Sequence, residues 1–199
     1  MMRILTLLMI LMTLTACSSG QNIKSKYYDF AHQQEDILAT SEQTNKHYLH
    51  VNQIEIQGVA DQQPLIQILR NNTVNIANYH FWSQHPKYML SDSIIRGLAK
   101  KITAFNVIPS GKTAPQHGEF ILQITVTKLA GHYEFGSLIQ GQWFIYKAGL
   151  EGKKLLHSEL FSVSTPLESS GFDALIKAHQ TSWQMITDEI SNIILSKSI

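Results

Sequence analysis

The residue with the most distinctive chemistry is Cys17, the only cysteine among 199 residues. It follows Leu14, Thr15 and Ala16. A cysteine thiolate is a soft nucleophile, and the residues before it suit its alkylation. Ala16 and Thr15 are small enough for a peptidase groove, and Leu14 offers an apolar anchor. Arg3 and a mainly apolar run over 4–14 come first. A positive start, a short apolar stretch and a small-residue cleavage site make a secretory signal peptide. Residues 4–14 are too few to span a bilayer as a helix, which takes ~20 apolar residues.

Ending that signal on Leu-x-Ala-Cys resembles the bacterial lipobox. The resemblance implies diacylglycerol on the Cys17 sulfur, cleavage before Cys17, and acylation of the new amine. Ser18, where an Asp would resemble an inner-membrane retention signal, resembles outer-membrane sorting. Several acyl chains, at ~0.8 kcal/mol per buried CH₂, would anchor the chain permanently. On the residues alone, an ordinary secretory signal with an incidental Cys stays open. The expected organisation is a signal peptide over 1–16, a lipidated tether over 17–26 and a single domain over 27–199. Residues 18–26 are mostly Ser, Gly, Gln, Asn and Lys, a flexible composition. At ~3.3–3.6 Å per residue they reach about 30 Å.

Other chemistry is weaker. Ser110-Gly111-Lys112-Thr113 matches the tail of a phosphate-binding loop, but Asn106 stands where the pattern needs Gly. Pro115 and Gly118 oppose the helix that must follow, so an ordinary loop is expected. The nine histidines include His47/His50 and His80/His85, but no His-Glu-x-x-His pattern. No metal site and no cofactor are expected. His179 lies on an apolar helical stripe and is expected to be a hydrogen-bonded core residue. No Gly-x-Ser-x-Gly elbow is present, so no catalytic residue is assigned. Triads assemble in space, which leaves a periplasmic hydrolase as a third reading. Sixteen Lys and Arg face fifteen Asp and Glu, and losing Arg3 leaves fifteen of each. A neutral chain without a basic patch does not suit nucleic acid. Tyr79, Phe81, Trp82 and Tyr88 form the densest aromatic group. It suits either core packing or a partner or lipid surface, with Tyr79 and Trp82 as candidate partner-binding residues.

Several elements must position these residues. Tyr27–Phe30 reads as a short strand. Residues 31–46 read as a loop, with a helical turn at 33–39. Tyr48–Gln57 reads as a strand, broken by 58–64. Leu65–Arg70 and Thr73–Phe81 flank Asn71-Asn72 as a hairpin. Pro86 opens a helix whose apolar face holds Leu90, Ile94, Ile95, Leu98, Ala99 and Ile102, with Ser91 off it. Asn106–Gly118 reads as a loop. Phe120–Thr127, Ile139–Ala148 and Lys154–Ser164 read as an antiparallel meander with a turn at 149–152. The last helix carries a stripe from Phe172 through Trp183 to Ile194. Thr187 and Ser191 sit on its opposite face, and Ser170 with Asp173 makes a capping box. The predicted fold class is α/β, or α+β. It is a mixed β-sheet with a mainly antiparallel meander, packed by two main helices including a long C-terminal one.

Four features resemble the ABC-type transport auxiliary lipoproteins, the paraquat-inducible lipoprotein C group. They are the lipobox at Cys17, Tyr27-Tyr28-x-Phe30, Tyr79-x-x-Trp82 before the first helix, and Phe172-x-Ala174-Leu175-Ile176-x-Ala178 opening the last. The segment Val59–Leu65 departs from the family's Pro-x-x-Leu-x-Arg-like stretch. The resemblance implies a lipid-anchored protein on the periplasmic face of the outer membrane. It would be a non-catalytic docking subunit of a lipid (phospholipid) transport system that supports membrane integrity. Its implied partner is a mammalian-cell-entry-type membrane protein, and ring-shaped partners imply a ring-forming homo-oligomer. The alternative is a lipoprotein activator of a periplasmic cell-wall synthase.

Overall fold

The computed structural model describes residues 23–31 and 47–196. The signal segment, Cys17 and the loop and helical turn expected over 32–46 lie outside the described residues. The fold is α+β: among the described residues, nine strands form one curled mixed sheet and two α-helices pack on it.

Its spine is the expected meander. Strands β7 (Phe120–His132), β8 (Gly136–Gly149) and β9 (Gly152–Thr165) pair antiparallel in chain order. Alternation explains why they form: Phe120, Leu122, Ile124 and Val126 are buried while their neighbours are less so. All three run longer than the alternation alone marks. Register shifts at Val126/Lys128 and Ile145/Tyr146 are bulges that bend the ribbon.

The other edge of β7 takes three short strands end to end, all parallel to it. These are β2 (Tyr48–Val51), β3 (Glu55–Ile56) and β4 (Pro64–Ile68). The expected strand over 48–57 is thus two strands. Between them Ile54 turns its N–H to the Ser91 hydroxyl at 2.9 Å. Ser91 is therefore buried, not off the packed face, and it donates in turn to the Lys87 carbonyl at 2.6 Å. Strand β5 (Val74–Trp82) pairs antiparallel with β4, and the hairpin tip has Asn72 at φ 62, which Asn tolerates. Strand β1 (Lys26–Tyr28) pairs parallel with β5.

The stretch read as a loop over 106–118 begins as a strand, β6 (Asn106–Pro109), parallel to β2. Among the described residues its only strand partner is β2, and on an edge the missing Pro109 N–H costs no ladder bond.

Helix α1 (Pro86–Lys101) has Pro at its start, and α2 spans Phe172–Ser196. Gly171 precedes α2 and accepts from the Leu175 N–H. Ser170 therefore falls one residue outside the cap that the sequence suggested. Both helices cover the same face of the sheet. Leu90, Ile94 and Leu98 of α1 and Trp183, Ile186 and Ile190 of α2 meet Leu122, Ile124, Ile139, Trp143 and Ile145 in one core. The helices cross closely at Gly97, where a Cβ would stand 2.7 Å from Thr187 Cγ2. Thr187 and Ser191 are buried rather than outward. Each hydroxyl donates to its own helix, to the Trp183 and Asp188 carbonyls, so burial leaves neither unpaired.

Candidate functional site

The two aromatic candidates separate. Tyr79 and Trp82 lie three apart on β5, so alternation sends them to opposite faces. Trp82 is buried in the core, edge-on to the Phe30 ring at 5.9 Å and tilted against His179. Tyr79 is exposed on the face away from the helices, with Phe81 two residues on. Phe81 stacks on Tyr27 of β1 at 5.5 Å. Of the pair, Tyr79 alone presents a surface to a partner, and Trp82 holds the strand that carries it.

The histidines mostly serve the fold. His179 is fully buried, and its Nδ1 lies 2.8 Å from the Ser137 hydroxyl. Ser182 joins Ser137 at 2.9 Å and Thr165 at 2.7 Å. Burial pushes the His179 pKa down to about 3. A Ser–His pair could activate a nucleophile, but Ser137 and His179 are shut inside the core, where no substrate reaches them. His50 of β2 and Glu119, the residue just before β7, form a second buried pair at 2.9 Å. Glu119 also accepts the Gln116 N–H at 2.7 Å, which ties down the loop before β7. His80 accepts or donates to the Tyr28 hydroxyl at 2.8 Å and stacks on Phe172 at 3.9 Å. Burial lowers the His80 pKa, and the Lys26 charge adds to that. Burial raises that of Tyr28, with Asp173 contributing. This cluster fastens β1 and β5 to the start of α2. Among the described residues no group of three His, Cys, Asp or Glu is placed to hold a metal.

The helix-free face carries an apolar surface that the aromatic group did not predict. At one end, the β4–β5 hairpin tip exposes Leu69 and Val74, and the β7–β8 turn exposes Tyr133 and Phe135, each 42–48% accessible. The Tyr133 N–H donates to the Ile68 carbonyl, and the Arg70 guanidinium lies 5.1 Å from the Tyr133 ring centre. Between tip and turn lies an open trough of about 670 Å³ with Ile68, Val74, Phe135 and Leu138 along it. Exposed apolar clusters of this kind mark interaction surfaces. One sequence signal pointed here: aromatics at 133 and 135 occupy a tight turn, where small polar residues are usual.

A second groove, of about 680 Å³, runs between α1 and α2. Arg96, Lys100, Lys101 and Lys177 line it, with Glu168 opposite in charge. Lys101 is paired with Asp188 at 2.7 Å.

No helix among the described residues is long and apolar enough to cross a membrane. The chain is 23% identical over 181 residues to the intermembrane transport lipoprotein PqiC of Escherichia coli (strain K12), covering 91% of each. A solved structure of an uncharacterised protein has the same fold at TM-score 0.71 and 18% identity, over 86% of this chain and 99% of that one. A protein of Xanthomonas campestris follows at TM-score 0.61 and 17% identity, over 76% and 85%. The model of the ABC-type transport auxiliary lipoprotein component matches residues 28–191, from β1 to near the end of α2. With that match over most of its length, the chain belongs to the ABC-type transport auxiliary lipoproteins, accessory components of a transport system.

Proposed function

We propose that the chain is a lipoprotein of the outer membrane. It is anchored through Cys17 on the periplasmic face, and it docks a mammalian-cell-entry-type membrane protein of an intermembrane lipid transport system without catalysing a reaction. The observation that carries the reading is the family match from residue 28 to 191. The PqiC likeness, over 91% of both chains, supports it. The exposed Tyr79 face is the proposed docking surface, because a few aromatic anchors often dominate an interface. The near-neutral charge favours apolar contacts with hydrogen bonds over long-range attraction. A ring of copies with heterologous contacts is part of the proposal. Among the described residues strand β9 pairs only with β8, and Leu155, Leu156 and Leu160 are exposed along it.

The anchor is tested by Cys17→Ser. A serine hydroxyl is a far poorer nucleophile than a thiolate. The variant is expected to incorporate no radiolabelled palmitate, while the wild type labels and fractionates with outer membrane. Equal labelling of the two would remove Cys17 from the account. Recovery of the wild type with inner membrane would remove the outer-membrane placement.

A further inference from the structure

The trough on the helix-free face combines an apolar floor with polar groups suited to an anion. Ile68 and Val74 come from the hairpin, Leu138 from β8, and Phe135 from the β7–β8 turn. Lys128 and His132, both on β7, supply the polar side together with Ser162 and Ser164 of β9. The lining holds no carboxylate. His132 is held in one tautomer by its surroundings. Its Nδ1 accepts the N–H groups of Glu134 at 3.2 Å and Phe135 at 3.4 Å. The neutral ring therefore carries its proton on Nε2, a donor. Its face stacks on Phe135 at 4.5 Å, which joins the polar and apolar parts of the lining. The trough falls within the size range of small-molecule sites, ~300–1,000 Å³.

We infer that this trough binds a glycerophospholipid, with one acyl chain along Ile68, Val74, Phe135 and Leu138 and the phosphate near Lys128 and His132. Charge and polarity match that ligand at both ends. Its place in the fold is also suitable. Lys26, where the tether joins the sheet, is in register with His80. Val74 pairs with Ile68 and Phe81 with Pro64, four residues apart on β4, so Val74 lies about 13 Å from Phe81 at ~3.3 Å per residue. The inference rests on the lipid-transport reading and names the cargo chemistry for a trough on the same helix-free face as Tyr79, at its hairpin-tip end.

The test uses the full-length chain in cells grown on phosphorus-32 phosphate. The photoreactive residue p-benzoylphenylalanine replaces Phe135 or, separately, Val74, and replaces Glu151 as a solvent-exposed control. Ultraviolet light is expected to give a labelled protein band at 135 and 74, at least fivefold above 151, and phospholipase is expected to remove the label. The diacylglycerol expected on Cys17 contains no phosphorus and contributes none. Lys128→Glu is expected to cut the label severalfold while the protein level is unchanged. Label no higher than at 151, label that resists phospholipase, label unmoved by Lys128→Glu, or cross-linking to a protein instead, each overturns the lipid site. None of these outcomes depends on capture of a transport partner, so the two readings fail separately.

Discussion

Replacing Trp183 by Ala is expected to lower the free energy of unfolding by about 3–5 kcal/mol, the range for emptying a large aromatic core site. Trp183 is 1% exposed and sits midway along α2. Its ring reaches the shared core, and its indole N–H donates to the Leu90 carbonyl of α1 at 3.3 Å. One side chain thus joins both helices and the sheet. Truncation leaves a cavity in that junction and removes a hydrogen bond between the helices. In a denaturant melt the midpoint falls while the slope stays near the wild-type value, because the surface exposed on unfolding changes little. Trp183→Phe keeps much of the volume and loses the donor, so it costs less, on the order of 1 kcal/mol for the bond plus a smaller cavity. A loss below about 1 kcal/mol for Trp183→Ala would mean that α2 does not dock on the sheet as described.

Mild acid is expected to destabilise the domain through His179. Its folded pKa, about 3, is well below the ordinary histidine value of ~6.5. Between those values the unfolded chain binds one more proton at this residue than the folded one. Stability from the neutral ring is complete above ~6.5 and drains away as pH falls toward 3, at ~1.4 kcal/mol per pH unit. By pH 5 the loss is about 2 kcal/mol. The cause is the closed environment: Ser137 partners the ring, and burial penalises a charge there. Gln at 179 carries no titratable group, so His179→Gln removes this slope. Unfolding free energies at pH 7 and pH 5 are expected to differ by about 2 kcal/mol more in the wild type than in His179→Gln. Parallel pH dependences would show that His179 does not titrate as its burial requires.

The local pattern of the chain exposes much of this architecture and little of its long-range assembly. The stripe from Phe172 to Ile194, the alternation in 120–126, Pro86 at a helix start and Asn71-Asn72 at a hairpin tip each act through neighbours in sequence. All four are where periodicity and turn chemistry put them. Strand β6 was hidden because Pro109 and the glycines after it read as loop. Its partner, β2, lies some sixty residues earlier, and nothing local marks that pairing. The same applies to β2, β3 and β4 lying end to end along β7. Ser91, Thr187 and Ser191 read as surface because they are polar. They are buried because a backbone carbonyl within their own helix accepts each hydroxyl.

The candidate site follows the same division. Cys17 is legible because its chemistry lies in adjacent residues. The aromatic group at 79–88 was visible as a group, but strand alternation and the position of the core decide which member faces outward. The trough left one local signal, the aromatics at 133 and 135 in a tight turn, and the rest of it was not legible. Its walls come from a hairpin near residue 70, a turn near residue 134 and a strand near residue 163, which only the folded sheet brings together.

The central claim is that this lipoprotein docks a membrane-spanning transport partner, and capture of that partner tests it most directly. The wild-type chain, extracted from membranes under mild conditions, is expected to retain a mammalian-cell-entry-type protein. Tyr79→Ala, folded as judged by an unchanged melt, is expected to retain several-fold less. Capture of a penicillin-binding protein in place of the transport protein would contradict the account and favour the cell-wall synthase alternative.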